Sequence, residues 1–208
     1  YYTLDGSIPT KSSSLYKNPI RVDKSCTLKA ISYLSNGLSS DELTKEVVVN
    51  KATFRPVRLL NAPSERYQGE NGKVLVDGIR SINFHNTGLW VGYHSSDLSG
   101  VIDLESLQSI SSVEVSALTD LSAWIMGPQS ISVFVSSDGE KYEMVARQTY
   151  EAPTDAMGEK RSELNRLSFD TVSARYVKVV VVPFKGLPKG HSGEGERPFL
   201  FVDEIRVD

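Results

Sequence analysis

The apolar and polar residues of this chain alternate in the manner of β-strands. Val113, Val115 and Ala117 alternate with polar neighbours, and so do the apolar positions of 131–135, as expected for strands with one buried face. The stretch 176–182 is nearly all apolar, which predicts a central strand buried on both faces. No segment of any length has helical periodicity. The pattern predicts an all-β protein of sandwich or jelly-roll type.

Turn-forming residues divide these strands into two groups. In the first fifty residues, the dipeptides Asp5-Gly6 and Asn36-Gly37 mark turns between short strands. This pattern predicts a small β-sandwich module over 1–50. Residues 51–56 form the junction, and 51–208 predict a larger β-sandwich or jelly roll. The chain starts at Tyr1 within a strand-like stretch, so we expect a piece of a longer protein.

Two segments organise the larger domain. Residues 73–93 contain an apolar run that we predict to be a strand ending at Asp77-Gly78, followed by a polar loop with Asn83, Asn86 and Gly88. Residues 199–207 form an apolar strand with two acids. We expect these segments to meet and to close the domain. Residues 100–104 predict a separate strand, and 154–163 predict an exposed loop.

Composition excludes several classes of function. The net charge is −3 without a basic block, so neither nucleic acid nor an anionic membrane is an expected partner. The apolar runs are too short to span a bilayer. One cysteine, Cys26, excludes an internal disulfide framework.

The first fifty residues carry a recognisable motif. Its residues are Tyr2-Thr3, Asp5-Gly6-Ser7, Pro9-Thr10, Leu15-Tyr16, Pro19-Ile20 and Thr27 to Ala30. With these residues the segment resembles the chitobiase/hexosaminidase C-terminal module, also called fibronectin-III-associated, whose hairpin signature is followed by Leu-Tyr, Pro-Ile and a Thr-x-Lys-Ala strand.

The second block carries its own set of motifs, at 75–78, Trp90, 101–104, 133–139, 174–179 and 203–207. With these motifs it resembles a discoidin-like domain, the coagulation-factor C-type fold also found in carbohydrate-binding module family 32. The version most similar in detail stands at the C-terminus of bacterial family-20 β-N-acetylhexosaminidases. The order of the two modules is consistent with the same parent enzyme.

The discoidin-like resemblance implies a structural Ca²⁺ bound by an Asp of the first loop and a C-terminal Glu. Asp77 and Glu204 occupy these positions, and carboxylates with backbone carbonyls are the ligands that Ca²⁺ prefers. The alternative is that both acids only accept hydrogen bonds from backbone amides. Thr87 lies three residues before Trp90, where the family has it two before, so the loop is expanded and its ligand set is open.

The acidic residues do not predict catalysis. Asp203 and Glu204 are adjacent in a strand and should point to opposite faces, so they cannot flank one glycosidic bond. Asp103 and Asp120 have no evident partner, and the family-20 barrel has no counterpart in this pattern. We expect a region that is not itself an enzyme.

Three residues are candidates for sugar recognition. Trp124 lies between two strands and offers a ring for stacking on a pyranose, and His191, in a glycine-rich loop, and Arg197 offer donors. Trp90 matches the family's structural tryptophan and is expected in the core. His85 and His94 are interpreted as loop histidines.

Three functions remain open at this point. The first is a carbohydrate-binding accessory region for N-acetylhexosamine or galactose-type sugars, and the second is a structural module that braces the parent's catalytic barrel. The third is a protein- or lipid-binding discoidin domain, for which Leu98 and Met126 would be the hydrophobic spikes. The parentage implies a secreted, periplasmic or outer-surface location in a bacterium.

Overall fold

A computed structural model describes residues 1–81, 88–94, 96–154 and 158–208. The chain divides into two compact units, Tyr1–Val49 (unit 1) and Asn50–Asp208 (unit 2). Apart from two short 3₁₀ helices, Glu70–Val76 and Leu121–Ala123, the regular structure of the described residues is β-strand. The predicted all-β class is confirmed.

Unit 1 is built on a three-stranded antiparallel sheet in the order β1-β2-β3. Its strands are β1 (Tyr2–Thr3), β2 (Cys26–Ala30) and β3 (Leu43–Val47). The predicted turn follows β1: the Asp5 carboxylate accepts hydrogen bonds from the amide and hydroxyl of Ser7. Gly6 adopts a φ of 78°, which side chains disfavour and glycine tolerates.

The described residues of unit 2 form seven strands in one continuous sheet. The order is β5-β10-β6-β9-β7-β8, and β4 pairs with β6. The strands are β4 (Val57–Leu59), β5 (Val91–Tyr93), β6 (Leu98–Thr119), β7 (Pro128–Ser136), β8 (Glu143–Thr149), β9 (Arg161–Pro183) and β10 (Leu200–Val207).

The two longest strands fold this sheet over itself. The antiparallel register between β6 and β9 is interrupted between Asp103 and Gln108. Val133 of β7 and Val202 of β10 are separated by two strands in the sheet, yet they belong to one buried cluster. The sheet therefore forms two layers around a common core, as in a β-sandwich. The segments 100–104 and 113–117, expected as two strands, are parts of β6.

β9 has the predicted central position, between β6 and β7. It is not buried on both faces, however: Val177, Val179 and Val181 are fully buried, whereas Lys178 and Val180 are partly exposed. The strand begins at Arg161, so part of the expected loop 154–163 is strand.

The apolar run before Asp77 is the first 3₁₀ helix and not the predicted strand. Asn71 and Gly72 have φ of 59° and 87°, so the chain turns sharply just before the run. Val74, Leu75 and Val76 are still buried in the core. A short apolar run can be buried either as a strand or as a helical turn, and hydrophobic periodicity cannot distinguish the two.

Candidate functional site

The segments 73–93 and 199–207 meet as expected. β5 pairs with β10, with Val91 opposite Val202 and Tyr93 opposite Leu200. The Gly78 amide donates to Glu204 Oε2 at 3.1 Å. The backbone amide of Ser81 donates to the Asp203 carboxylate. The C-terminal strand thus holds the turn that follows the first 3₁₀ helix.

The carboxylates of Asp203 and Glu204 both accept hydrogen bonds from the turn at 78–81, although we expected them on opposite faces of the strand. The register between β10 and β6 shifts between Val202 and Glu204, so Asp203 is an extra residue in β10. Such a bulge breaks the regular alternation of side chains. Both carboxyl groups are buried, with exposed fractions of 1% and 0%, and are inaccessible to a substrate.

Burial controls the ionisation of both acids. It raises the pKa of Asp203 to about 7, while hydrogen bonds from Ser116 and Ser81 act in the opposite direction. Burial, together with the nearby charge of Asp77, raises the pKa of Glu204 to about 9. Oδ1 of Asp203 and Oε1 of Glu204 have no hydrogen-bond partner in the described part of the chain. A buried acceptor without a partner is costly.

Asp77 lies at the C-terminal end of the first 3₁₀ helix, and its Oδ1 accepts from the Ile79 amide at 2.8 Å. Its repulsion of Glu204 and the unpartnered Glu204 oxygen fit a hard cation between the two. Outside the undescribed segments 82–87, 95 and 155–157, no group of three or more His, Cys, Asp or Glu could hold a metal. The expected loop residues Asn83, Asn86 and Thr87 lie outside the described residues.

Trp124 is the exposed aromatic residue of the candidate sugar site. It ends the second 3₁₀ helix in a left-handed conformation, with φ of 60°, and is 40% exposed. Its ring meets that of His191 edge to face, with centroids 6.0 Å apart. Gly193 packs so closely that a Cβ there would lie 2.6 Å from the indole. The indole is therefore fixed on one side and open to solvent on another.

His191 is buried and does not face solvent, with an exposed fraction of 8%. Its Nε2 lies 2.9 Å from the Leu121 carbonyl oxygen, to which it donates. Its Nδ1 accepts from the Gly193 amide at 3.0 Å. Because both ring nitrogens are engaged within the protein, the expected hydrogen bond from His191 to a sugar hydroxyl is wrong. His191 positions Trp124 and its loop.

The loop that carries His191 closes on itself. The Leu187 amide donates to the Glu196 carbonyl at 2.8 Å, and the Gly190 amide donates to the Glu194 carboxylate at 2.8 Å. Leu187 packs in a small buried cluster with Leu121 and Met126. This cluster anchors the loop beside the Trp124 turn.

Arg197 is exposed, and its carbonyl accepts from His94 Nε2 at 3.2 Å. The His94 ring also stacks on Phe199, with centroids 4.5 Å apart. The Phe199 amide donates to the Trp124 carbonyl at 2.8 Å. Arg197 is therefore two residues before Phe199, whose amide bonds directly to Trp124. We define the Trp124 surface as Trp124, Gly193 and Arg197.

The other singled-out apolar residues are internal. Trp90 is fully buried and packs edge to face on Phe201, which confirms the predicted core position. Leu98 and Met126 are also fully buried, so neither is the hydrophobic spike that a lipid-binding domain would need. His85 lies outside the described residues.

Asp103 and Asp120 have partners that the sequence did not reveal. Asp103 forms a two-pronged ion pair with Arg175, with both N–O distances at 2.8 Å. Asp120 accepts from the Ser122 hydroxyl at 2.6 Å and lies 3.4 Å from the Lys160 ammonium. Both are interactions within the protein.

Two family models match the chain. A model described as Fn3 associated covers residues 1–47. A model described as NedA-like, galactose-binding domain covers residues 74–179. No curated protein sequence matches the chain significantly.

Three solved structures illustrate its distant structural likeness. Chitosan-binding module 1 from a chitosanase/glucanase of Paenibacillus sp. IK-5 is 14% identical, with a TM-score of 0.48 over 77% of this chain and 98% of that one. A fucose binding module of Streptococcus pneumoniae is 19% identical, with a TM-score of 0.48 over 76% and 94%. The lectin domain of lectinolysin, complexed with Lewis B antigen, is 15% identical, with a TM-score of 0.49 over 78% and 97%.

Within the described residues, no helix is long and apolar enough to cross a membrane. The galactose-binding family model spans more than half of the sequence and includes the Trp124 turn and most of the strands that support it. The chain therefore belongs to the NedA-like, galactose-binding domain family.

Proposed function

We propose that this chain is a non-catalytic accessory region that binds glycan at the Trp124 surface. The observation that carries the proposal is the half-exposed Trp124 ring, fixed from behind by His191 and Gly193. A rigid aromatic ring stacks on the apolar face of a pyranose without loss of side-chain freedom. We assign the donors for hydroxyl groups to Arg197, which is exposed and lies two residues before Phe199, the backbone partner of Trp124.

The sugar class follows from family and resemblance. The family is described as galactose-binding, and the modular order resembles the C-terminal region of a β-N-acetylhexosaminidase. We therefore propose galactose-type and N-acetylhexosamine sugars. An open, shallow site exchanges one set of water hydrogen bonds for another, so the expected dissociation constant is about 0.1–1 mM.

Titration followed by NMR tests this proposal. Galactose, N-acetylgalactosamine and N-acetylglucosamine are added separately to the full chain, and the indole N–H of Trp124 and the Gly193 amide are followed. We expect saturable shifts for at least one sugar, and their loss in Trp124→Ala. Phe54→Ala is the matched control, because Phe54 is 72% exposed and is not part of the Trp124 surface. Unchanged spectra with all three sugars would contradict the proposal.

The parent enzyme is the second part of the proposal. We infer a secreted, periplasmic or outer-surface bacterial β-N-acetylhexosaminidase, in which the catalytic barrel is a separate domain. The competing function is bracing, in which the open side of Trp124 contacts that barrel and no sugar. In the complete parent enzyme, Trp124→Ala would then lower the thermal midpoint of the barrel without changing any glycan affinity.

A bound calcium ion is the third part of the proposed function. We propose that Asp77 and Glu204 share a structural Ca²⁺, whose charge would neutralise the two carboxylates. The unpartnered Glu204 oxygen and the repulsion from Asp77 support this assignment. Binding to the folded state alone would stabilise it by about 3 kcal/mol at a hundredfold excess over the dissociation constant. Thermal melting in calcium and in chelator measures the effect, and equal midpoints would remove the claim.

A further inference from the structure

A concave surface lies at the end of the sandwich away from Trp124. β7 starts at Pro128, shortly after Trp124, and ends at Ser136, just before the turn that contains Asp138 and Tyr142. A strand of this length spans about 30 Å. Beside that turn is a cavity of about 350 Å³, which we term the Tyr142 cavity. Its polar lining residues are Arg58, Asp103, Asp138, Tyr142 and Tyr176.

Strand register places these side chains on the outer face of the sheet. Arg58 of β4 lies opposite Val101 of β6, and Val101 lies opposite Lys178 of β9. In the next outward row, Asp103 lies opposite Tyr176. Their neighbours along each strand, such as Ile102 and Val177, are fully buried in the core. The floor of the cavity is therefore formed by paired strands of the sheet.

Tyr142 is held over this face by a cation. The Lys178 ammonium lies 4.6 Å from the centroid of the Tyr142 ring and 4.5 Å from that of Phe134. Such cation–π contacts fix the orientation of a ring. Across the cavity, Gly139 packs on Tyr176, with a Cβ position only 3.2 Å from the ring. Both tyrosines are partly exposed and preorganised.

The two carboxylates of the cavity differ in how many of their oxygens accept hydrogen bonds within the protein. The two-pronged bond from Arg175 lowers the pKa of Asp103 and occupies its carboxylate. Oδ1 of Asp138 accepts from the amides of Lys141 and Glu140 and from the Ser136 hydroxyl, which lowers its pKa.

Arg58 is the open donor of the cavity. It is exposed, and among the described residues its guanidinium forms no hydrogen bond or ion pair. Its charge acts on Tyr142, because it opposes the rise in pKa that burial causes in that phenol. A guanidinium donor, a carboxylate with one uncommitted oxygen and two phenols thus converge on one concave surface.

We propose that the Tyr142 cavity is a second ligand site, and that it takes a neutral saccharide of one or two pyranose units. Arg58 donates to ring hydroxyls, Asp138 Oδ2 accepts from them, and the Tyr142 ring packs on the apolar face of the sugar. A polyol satisfies both the donor and the acceptor, whereas an anion satisfies Arg58 and is repelled by Asp138. Two sites about 30 Å apart would allow one domain to engage two branches of a surface glycan with avidity.

The test removes the Trp124 surface first, so that the two proposals are separated. The full chain with Trp124→Ala is titrated with galactose, N-acetylglucosamine, N,N′-diacetylchitobiose and glucuronic acid while the amides of Gly139 and Tyr142 are followed by NMR. We expect saturable shifts with at least one neutral sugar. Adding Arg58→Ala should weaken that binding about tenfold, the usual loss for one hydrogen bond to a charged group.

Two further variants make the outcome decisive. Asp138→Asn keeps the Oδ1 acceptor that caps the turn but removes the charge, so it should weaken the neutral sugar while the spectrum stays folded. Arg147→Ala is the matched control, since Arg147 is exposed on β8 and does not line the cavity. The proposal is overturned if no neutral sugar shifts these amides at millimolar concentrations, if glucuronic acid alone does so, or if Arg147→Ala weakens binding as much as Arg58→Ala.

Discussion

Replacing Glu204 by glutamine should stabilise unit 2 when no cation is present. The folded-state pKa of Glu204 is about 9, against 4.5 for an unperturbed glutamate. In the folded state the carboxyl group therefore stays protonated at pH 7, whereas in the unfolded chain it is ionised. Between pH 4.5 and 9 the folded state binds the proton of Glu204 and the unfolded state does not. The free energy of unfolding therefore falls as pH rises through this range and is constant above it.

The size of the effect follows from the same values. Each pH unit between 4.5 and 7 lowers the free energy of unfolding by about 1.4 kcal/mol, or about 3 kcal/mol in all at pH 7. Glutamine has the same shape, keeps an oxygen for the Gly78 amide and does not ionise. Glu204→Gln should recover most of this energy, which corresponds to about 6–12 °C in the thermal midpoint of a domain of this size.

Tryptophan fluorescence is a suitable assay because both tryptophans, Trp90 and Trp124, lie in unit 2. Urea unfolding is measured in chelator at pH 5, 7 and 9 for the wild type, Glu204→Gln and the exposed control Glu143→Gln. We expect the wild type to lose stability across this range. Glu204→Gln should lose less, and its remaining decline should end near pH 7, where Asp203 titrates.

A Glu204→Gln variant that is no more stable than the wild type at pH 7 in chelator would show that the folded state does not hold Glu204 protonated. So would a wild type whose free energy of unfolding does not fall between pH 5 and 9. The Glu143→Gln control should follow the wild type, because Glu143 is exposed on β8.

Three further predictions follow from the same geometry. Asp77→Asn keeps the acceptor for the Ile79 amide but removes one charge, so it should abolish any rise of the melting midpoint in calcium, as measured by calorimetry with and without chelator. Gly193→Ala should push the indole of Trp124 out of place and weaken sugar binding in the NMR titration at least about tenfold without unfolding the domain, whereas unchanged affinity would show that the ring is not held there. The purified chain should not hydrolyse aryl N-acetylglucosaminide above background, and turnover that one carboxylate substitution abolishes would contradict the non-catalytic assignment.

Sequence pattern was sufficient where a residue's role depends on its nearest neighbours. Alternation in 113–117 and 131–135 predicted strands, because a half-buried strand must alternate. Asp5-Gly6-Ser7 predicted its turn, because the carboxylate bonds two residues ahead and Gly6 tolerates positive φ. The resemblance placed Trp90 in the core. The shared pattern of an apolar run with acidic residues predicted that 73–93 meets 199–207.

Tertiary structure alone decided the roles that depend on residues distant in the sequence. A bulge in β10 turned Asp203 and Glu204 to one side, although regular alternation would have separated them. His191 Nε2, which we expected to donate to a sugar, donates instead to the carbonyl oxygen of Leu121, seventy residues away. Arg58 and Tyr142 met only because β4 and the turn after β7 flank the same sheet face. Such contacts join distant segments, and no local pattern encodes them, because their geometry is fixed only when the sheet folds over its core.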